Sequence, residues 1–257
     1  MVKNLNLYQK ENQMRLITIS IVTLLFTACQ SSPKISGEAI IIPKESQQLL
    51  KVVTKDWHTK EGVLWRYERE EDGAWHKVGK AVEVILGRNG LGWGLGLHTI
   101  PKDAKYIKKE GDGKAPAGLF ALGHGFGYQD FKIDFAYTKY QRTDHCVDDA
   151  NSKWYNQIVD STKVEQDYKS FEHMRLKSNL YAYGITVEHN PNAIANAGSC
   201  IFMHIRNHTG KGTAGCTAMD QERLVEILKW LKEEKKPLLL QLPQSELTRK
   251  IYDNSLK

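Results

Sequence analysis

Two side chains within one short segment have the types and spacing needed for nucleophilic chemistry. His204 ends an apolar run, and Cys216 lies in a turn of small residues shortly after it. Residues 201–203 predict a short buried strand that ends at the histidine, and the glycines within residues 209–215 predict a turn that brings the cysteine back beside it. A thiolate is a strong nucleophile, and a neighbouring imidazole can accept the thiol proton.

Two other interpretations of this segment stay open at the level of sequence. A cysteine beside a histidine is often a small buried hydrophobe next to a satisfied polar group. A zinc site is the second alternative, because zinc accepts all four of the available donors, which are Cys200, His204, His208 and Cys216. These donors lack the paired close spacing of structural zinc sites, so the sequence favours a site without metal.

A second segment, residues 108–123, combines a charged glycine-rich turn, a bend and an apolar stretch. Together the two segments resemble the L,D-transpeptidase (YkuD-type) catalytic domain of bacterial cell-wall enzymes. That family has a Gly-Asp turn, a Thr-Pro-x-Gly bend and a Ser/Thr-His-Gly-Cys turn. The bend here is residues 115–118, and the turn is residues 213–216. Ala214 stands where the turn of the family has its histidine. This is similar to a divergent branch with an Ala-Gly-Cys turn and an upstream Gly-Arg-Asn-Gly segment.

The resemblance covers about residues 51–242 and implies a mainly β domain, a β-sandwich or barrel-like fold with a few peripheral helices. It implies that Cys216 attacks a carbonyl of meso-diaminopimelate or a similar residue in a peptidoglycan stem peptide and forms a thioester. His204 would move the proton, held by a backbone carbonyl, and the N–H groups of Gly215 and Cys216 would stabilise the oxyanion. Contacts to the substrate are expected from Ser199, Thr213, Ala214, Gly118 and Asp112. No metal or other cofactor is implied.

Three further points qualify these expectations. Asp112 lies between two glycines, a pattern that favours a turn-forming role over a catalytic one. The motif does not distinguish an amine acceptor from water, so an L,D-carboxypeptidase or an amidase is the alternative enzyme. A lipid-anchored protein that binds the cell wall without catalysis is the alternative from another class.

Composition and charge favour one monomeric globular domain at residues 49–257. The 257-residue chain has no linker in its middle. Its net charge of +6 comes from scattered basic residues with no nucleic-acid motif beside them, which argues against nucleic acid as a partner.

The N-terminal region has the features of an export signal. Residues 14–29 combine a basic residue, an apolar run and small residues before Cys29, so residues 1–28 are interpreted as a signal peptide. Met14 is an alternative start, because the segment from Met14 is a conventional signal by itself. The segment before Cys29 resembles a bacterial lipobox, which implies a lipidated Cys29, a flexible tether at residues 29–48 and the periplasmic face of the outer membrane. An ordinary cleaved signal is the alternative.

An exported protein meets oxidising conditions, and three cysteines follow Cys29. A bridge between Cys146 and Cys200 would leave Cys216 free, whereas any bridge to Cys216 would block the proposed chemistry. The sequence alone does not choose between these pairings.

Most of the predicted elements are strands. Strands are predicted at residues 48–53, 62–69, 75–78, 81–86, 181–188, 199–204 and 238–242, with turns at 72–73 and 79–80. Residues 151–176 are predicted to form surface helices or loops. Asp220 is predicted to cap a helix over residues 221–235, and Pro237 to stop it.

The N-terminal interpretation makes a testable prediction. The mature protein is expected to be membrane-bound, and Cys29→Ser is expected to stop its processing or to release it, because the acyl chains supply the membrane affinity. Fractionation and mass spectrometry of the mature N-terminus measure this. Wild-type protein in the soluble periplasm with an unmodified residue 29 would contradict the prediction.

Overall fold

The computed structural model describes residues 39–71, 73–251 and 256. The domain is mainly β with few helices, which confirms the fold class predicted from sequence. The predicted signal peptide, the start at Met14 and the lipidated Cys29 lie outside the described residues. Ile40 packs into the core and Gln48 is fully buried, so the body of the domain already includes the end of the segment expected to be a tether. Within the described part of the chain, no helix has the length and apolar character needed to cross a bilayer.

The elements follow one another as strands until late in the chain. The strands before the segment with His204 and Cys216 are β1 (Gln48–Thr54), β2 (Glu61–Arg69), β3 (Trp75–Ile85), β4 (Leu91–Trp93), β5 (Ala115–Gly127), β6 (Tyr137–Lys139), β7 (Asp144–Val147), β8 (Ile158–Asp160), β9 (Phe171–His173) and β10 (Tyr183–Val187). The remaining elements are β11 (Phe202–Ile205), β12 (Thr217–Met219), α1 (Gln221–Trp230), a 3-10 turn at Glu233–Lys235, β13 (Leu238–Pro243) and α2 (Gln244–Lys250).

The large sheet closes on itself. Its strands run in the order β10, β11, β12, β3, β2, β1, β13, β5, β4, and β10 also pairs with β5. This extra pairing joins β10, at one end of the path, to β5, the strand next to the other end, which gives the barrel-like arrangement expected for the domain. Strands β7, β8 and β9 form a separate small sheet in the order β8, β7, β9.

Strand β13 lies between β1 and β5 in the large sheet and is buried along its whole length. It pairs in parallel with β1 and antiparallel with β5, so both of its edges are hydrogen-bonded. Its one polar residue, Gln241, is satisfied within the core. The Gln241 amide donates to the Pro116 carbonyl at 2.8 Å and accepts a hydrogen bond from the Thr217 hydroxyl at 2.8 Å. This buried link ties β12, which follows Cys216, to the strand that begins with the Ala115–Gly118 bend.

Three predicted features differ from the structure. The turn predicted at residues 79–80 is an irregularity within the continuous strand β3, where Gly79 has a φ of 70° and the Arg66 side chain crosses the space of a Cβ. Residues 151–176 form turns and loops, one of the two predicted forms, but the short strands β8 and β9 within them were not predicted.

The helix after Asp220 is shorter than predicted, because its C-cap residue Leu231 is extended. Asp220 is the N-cap residue, but its carboxylate does not cap the helix. It pairs with the Arg206 guanidinium at 2.6 and 2.9 Å.

The buried position of β13 predicts a large effect of truncating its side chains. Leu240→Ala is expected to lower the free energy of unfolding by about 3 kcal/mol, because it opens a cavity in a closely packed core. The matched control is Leu97→Ala, since 53% of the Leu97 side chain is exposed, and its effect is expected to stay within about 0.5 kcal/mol. Denaturant unfolding of both variants measures the difference, and equal losses would place Leu240 outside the core.

Candidate active site

The parallel pairing of β11 with β12 brings the two motif side chains to one region of the sheet. His204 lies opposite Ala218 in this pairing. Cys216 directly precedes β12, and the Phe202 N–H donates to its Sγ at 3.3 Å. Because side chains two residues apart on a strand point to the same face, His204 shares a face with Phe202, next to which the thiol lies.

The turn that carries the cysteine is organised by Thr213. The Thr213 hydroxyl donates to the Cys216 carbonyl at 2.6 Å and accepts from the Gly215 N–H at 3.1 Å. The Gly215 N–H, expected to point at an oxyanion, is therefore engaged within the turn. The Cys216 N–H donates to no described residue, so it remains available as an oxyanion donor.

A short segment between β3 and β4 holds the two sequence motifs together. The Arg88 N–H donates to the Thr213 carbonyl and the Asn89 N–H donates to the Gly113 carbonyl, both at 2.9 Å. A Cβ on Gly87 would lie 2.5 Å from the Gly113 oxygen. Glycine is therefore required at position 87 for the close approach of these segments.

His204 is held in the state that a general base needs. Its Nδ1 lies 2.8 Å from the Ile205 carbonyl, and since a carbonyl only accepts, Nδ1 carries the proton. Burial lowers the pKa of His204, against the opposing effect of that carbonyl. The imidazole is therefore neutral at neutral pH, with an unprotonated Nε2 that can accept a proton.

Cys216 is buried and held as a thiol. Only 5% of the residue is exposed, and Sγ lies 3.6 Å from the Cys200 carbonyl, to which the thiol donates. Burial raises the pKa of Cys216 well above its usual range, and the nearby Glu172 carboxylate raises it further. The Phe202 N–H and the Lys108 ammonium oppose this rise only in part. At neutral pH the sulfur is therefore protonated.

The thiol and the imidazole share a face of the sheet but are not in hydrogen-bond contact. The Tyr181 ring packs against His204 at 5.2 Å and against Phe202 at 5.7 Å between centroids. No hydrogen bond joins Cys216 to His204 among the described residues. An offset of two residues along a strand corresponds to about 7 Å, so the side chains must approach each other before a proton passes between them.

The other two described cysteines form a disulfide. Cys146 in β7 is bonded to Cys200, with a Cα–Cα distance of 6.0 Å. Cys216 is the free thiol of the three. Of the pairings that the sequence left open, the structure has the one that leaves the candidate nucleophile unblocked. The bond also ties the small sheet to the segment that leads into β11.

The donors of the alternative zinc site are not brought together. Cys200 is in the disulfide, and the side chain of His208 is 76% exposed beside Asp220. Over residues 39–71 and 73–251 the structure contains no group of three His, Cys, Asp or Glu side chains with the spacing to hold a metal ion.

The residues predicted to contact substrate divide into two groups. Ser199 lines the cavity that reaches Cys216, Thr213 lines the cavity that reaches His204, and Ala214 lines both. Gly118 and Asp112 line neither cavity. A Cβ on Gly118 would lie 1.9 Å from the His98 ring, so the glycine makes room for that ring in the core.

The Asp112 carboxylate is fully used in its own turn. It accepts from the Lys108 Nζ at 2.8 Å and from the backbone N–H groups of Lys109 and Lys114 at 2.8 and 2.9 Å. Asp112 is therefore a turn-forming residue, the alternative that its flanking glycines favoured.

The structure adds residues that sequence reasoning missed. The cavity beside Cys216 has a volume of about 130 Å³, and its charged lining comprises Arg88, Lys108, Glu110, Asp148 and Glu172. Lys108 and Glu110 lie within the segment of residues 108–123. The sequence shows their charges but does not show that they line the cavity beside Cys216. Asp148 and Glu172 come from the small sheet region and carry no sequence signal that links them to Cys216.

Compared with known proteins, the chain matches no protein-family model and no curated protein.

The geometry predicts different roles for two histidines. His204→Ala is expected to slow alkylation of Cys216 by iodoacetamide at least ~10-fold at neutral pH, because a thiol with a raised pKa needs a base to lose its proton. Raising the pH is expected to recover much of the rate, since hydroxide then ionises the thiol directly. The exposed His208 is the matched control, and His208→Ala is expected to leave the rate unchanged. Equal losses in the two variants would show that His208 shares the site.

Proposed function

We propose that the chain is a cysteine-dependent L,D-transpeptidase that acts on peptidoglycan stem peptides through a thioester acyl-enzyme. The observation that carries this proposal is the pairing of one free thiol, Cys216, with a neutral imidazole, His204, on one face of the sheet. The Ile205 carbonyl holds Nδ1 of that imidazole, which is the kind of orienting group that the family resemblance implies.

In the first half-reaction the peptide bond to a terminal D-alanine is broken. As the substrate carbonyl enters the Cys216 cavity, His204 Nε2 accepts the thiol proton and Sγ attacks the carbonyl carbon. The Cys216 N–H stabilises the oxyanion. The C–N bond then breaks, His204 returns the proton to the departing amine, and a thioester remains on Cys216.

In the second half-reaction an acceptor replaces D-alanine. The amine of a second stem peptide attacks the thioester carbonyl, His204 removes a proton from the attacking nitrogen, and the proton returns to sulfur as the C–S bond breaks. The cavity that reaches His204 is separate from the one that reaches Cys216, with Ala214 between them. Two cavities on either side of the reacting pair suit a reaction with a donor and an acceptor.

We place this activity in the bacterial cell envelope, with the protein anchored by a lipid at Cys29 on the periplasmic face of the outer membrane. The Cys146–Cys200 disulfide supports an oxidising compartment, because disulfides persist in exported proteins and are rare in the cytosol.

A non-catalytic wall-binding protein is the second candidate, and one observation favours it. The pKa of Cys216 is raised by burial, and buried cysteines in such surroundings are usually inert. The two candidates differ in what happens when the sulfur is removed.

The activity prediction is tested with purified muropeptides. Wild-type protein is expected to release D-alanine from a tetrapeptide donor and to form a cross-linked product when an acceptor amine is present. Cys216→Ala is expected to lower turnover by about 10³-fold or more, because the covalent route is lost, and to keep its affinity for the donor.

The control is Cys146→Ala with Cys200→Ala, which removes two sulfurs but leaves the nucleophile. Some turnover in this control with none in Cys216→Ala would support the thiol as nucleophile. Release of D-alanine at the same rate with and without acceptor, and no joined product, would replace transpeptidation by carboxypeptidase activity. Equal turnover in wild type and Cys216→Ala would contradict both enzyme functions.

A further inference from the structure

The cavity beside the nucleophile has an unusual charge composition. Cys216 is one of the residues that line this cavity. The charged lining consists of three carboxylates and two cations, which are Glu110, Asp148, Glu172, Arg88 and Lys108. Burying like charges together without opposite charges is unfavourable, so this cavity is suited to a ligand that brings positive charge.

Among the carboxylates that line the cavity, Glu172 is the one that raises the pKa of the Cys216 thiol. The Tyr181 hydroxyl donates to Glu172 Oε2 at 2.5 Å, and Oε1 accepts no hydrogen bond from a described residue. Burial raises the pKa of Glu172, and the charges of Asp148 and Glu110 raise it further. A cation in the cavity would relieve both effects at once.

Asp148 and Glu110 differ in how their oxygens are used. Oδ1 of Asp148 is buried and has no hydrogen-bond partner among the described residues. Glu110 is engaged, since Oε2 accepts from the hydroxyls of Tyr155 at 2.5 Å and Ser199 at 2.7 Å. Asp148 and Glu172 therefore offer open acceptor oxygens, and Glu110 adds charge.

The cations of the cavity do not neutralise these carboxylates. The Lys108 ammonium donates to Asp112 Oδ1 at 2.8 Å and to the Lys109 carbonyl at 2.6 Å, so a carboxylate outside the cavity already balances its charge. Arg88 is exposed at the mouth and forms no ion pair with a described residue. The charged groups that line the Cys216 cavity are thus Arg88, Lys108, Glu110, Asp148 and Glu172. Tyr181 is not part of this lining, but it interacts with both Glu172 and Cys216.

We propose that Glu172 and Asp148 bind an ammonium group on the side chain of the acyl donor, and that this binding makes Cys216 reactive. The inference rests on the proposed function and assigns residues to its donor selectivity. Burial keeps the sulfur of Cys216 protonated in the empty cavity, and the Glu172 carboxylate adds to this because it opposes the formation of a second negative charge beside it. An ammonium group between Glu172 and Cys216 cancels that opposition, so the nucleophile forms when the correct donor is bound.

The coupling is reciprocal. If a cation favours the thiolate, then the thiolate favours binding of the cation by the same factor. A donor whose side chain ends in a neutral amide would bind without this gain, because an amide brings no positive charge to the cavity. Selectivity and activation therefore come from the same two carboxylates.

The first experiment measures the reactivity of Cys216 without turnover. Alkylation by iodoacetamide is followed at Cys216 by peptide mass spectrometry, at mildly alkaline pH, with methylammonium chloride or an equal concentration of sodium chloride. In wild type the methylammonium salt is expected to raise the rate about tenfold, the factor that corresponds to one unit of thiol pKa. Equal rates in the two salts would overturn the inference.

The same measurement is made on Glu172→Gln, which keeps an acceptor for the Tyr181 hydroxyl. This variant is expected to react about tenfold faster than wild type in sodium chloride and to lose the response to methylammonium. Glu226→Gln is the matched control, since Glu226 is exposed on α1 and pairs with Arg223, and it is expected to behave as wild type. If Glu172→Gln does not fold, Asp148→Asn replaces it and is expected to lose the methylammonium response. An unchanged response in a folded variant would contradict the assignment.

The second experiment compares two donors, Nα-acetyl-L-lysyl-D-alanine and its Nε-acetylated form. Wild type is expected to release D-alanine from the ammonium form about tenfold faster in kcat/KM, and Glu172→Gln to lose this preference. Turnover of both donors without preference would overturn the inference and leave the proposed function intact. A methylammonium response with no turnover of any muropeptide would support the charge coupling and contradict the proposed function.

Discussion

The parallel pairing of β11 with β12 is the constraint on which the site depends. Two parallel neighbours cannot be joined by a tight hairpin, so the chain must cross over between His204 and Cys216. The register of that pairing places the imidazole and the thiol on one face, and a shift of one residue would send them to opposite faces. The residues that hold the crossover in place, Thr213 and the backbone at Arg88, are therefore as necessary to the site as the two reacting side chains.

Burial gives this arrangement a particular chemical state. Burial raises the pKa of the Cys216 thiol and lowers the pKa of the His204 imidazole, so both groups are neutral at rest. Burying two neutral groups costs less desolvation free energy than burying an ion pair, so the neutral thiol and imidazole need fewer stabilising contacts from their surroundings. Under the proposed function, the nucleophile must then be produced when substrate arrives. We propose that the carboxylates around the cavity let charge on the donor control that step.

The sequence predicted many strands of the large sheet and the candidate pair of Cys216 and His204, because both depend on local patterns. The apolar and aromatic residues of residues 48–53 and 62–69 predicted β1 and β2. The turn of small residues before Cys216 indicated this cysteine as the candidate nucleophile. The irregular region at Gly79 was mistaken for a turn, since a positive φ at glycine serves either purpose. The role of Gly118 was also missed, because only the folded chain shows that the His98 ring fills the space above it. The position of Glu172 beside Cys216 could not be predicted for the same reason. Glu172 is in β9, and only the folded small sheet brings β9 to the Cys216 cavity.

The central claim is that Cys216 carries an acyl group during turnover. Intact-protein mass spectrometry of the full chain, quenched in acid soon after mixing with a tetrapeptide donor, tests this most directly. The account predicts an added mass equal to the donor minus D-alanine, mapped to Cys216 and removed by hydroxylamine, which cleaves thioesters. Formation of product with no adduct at Cys216, or the same adduct in a protein with Cys216→Ala, would contradict it.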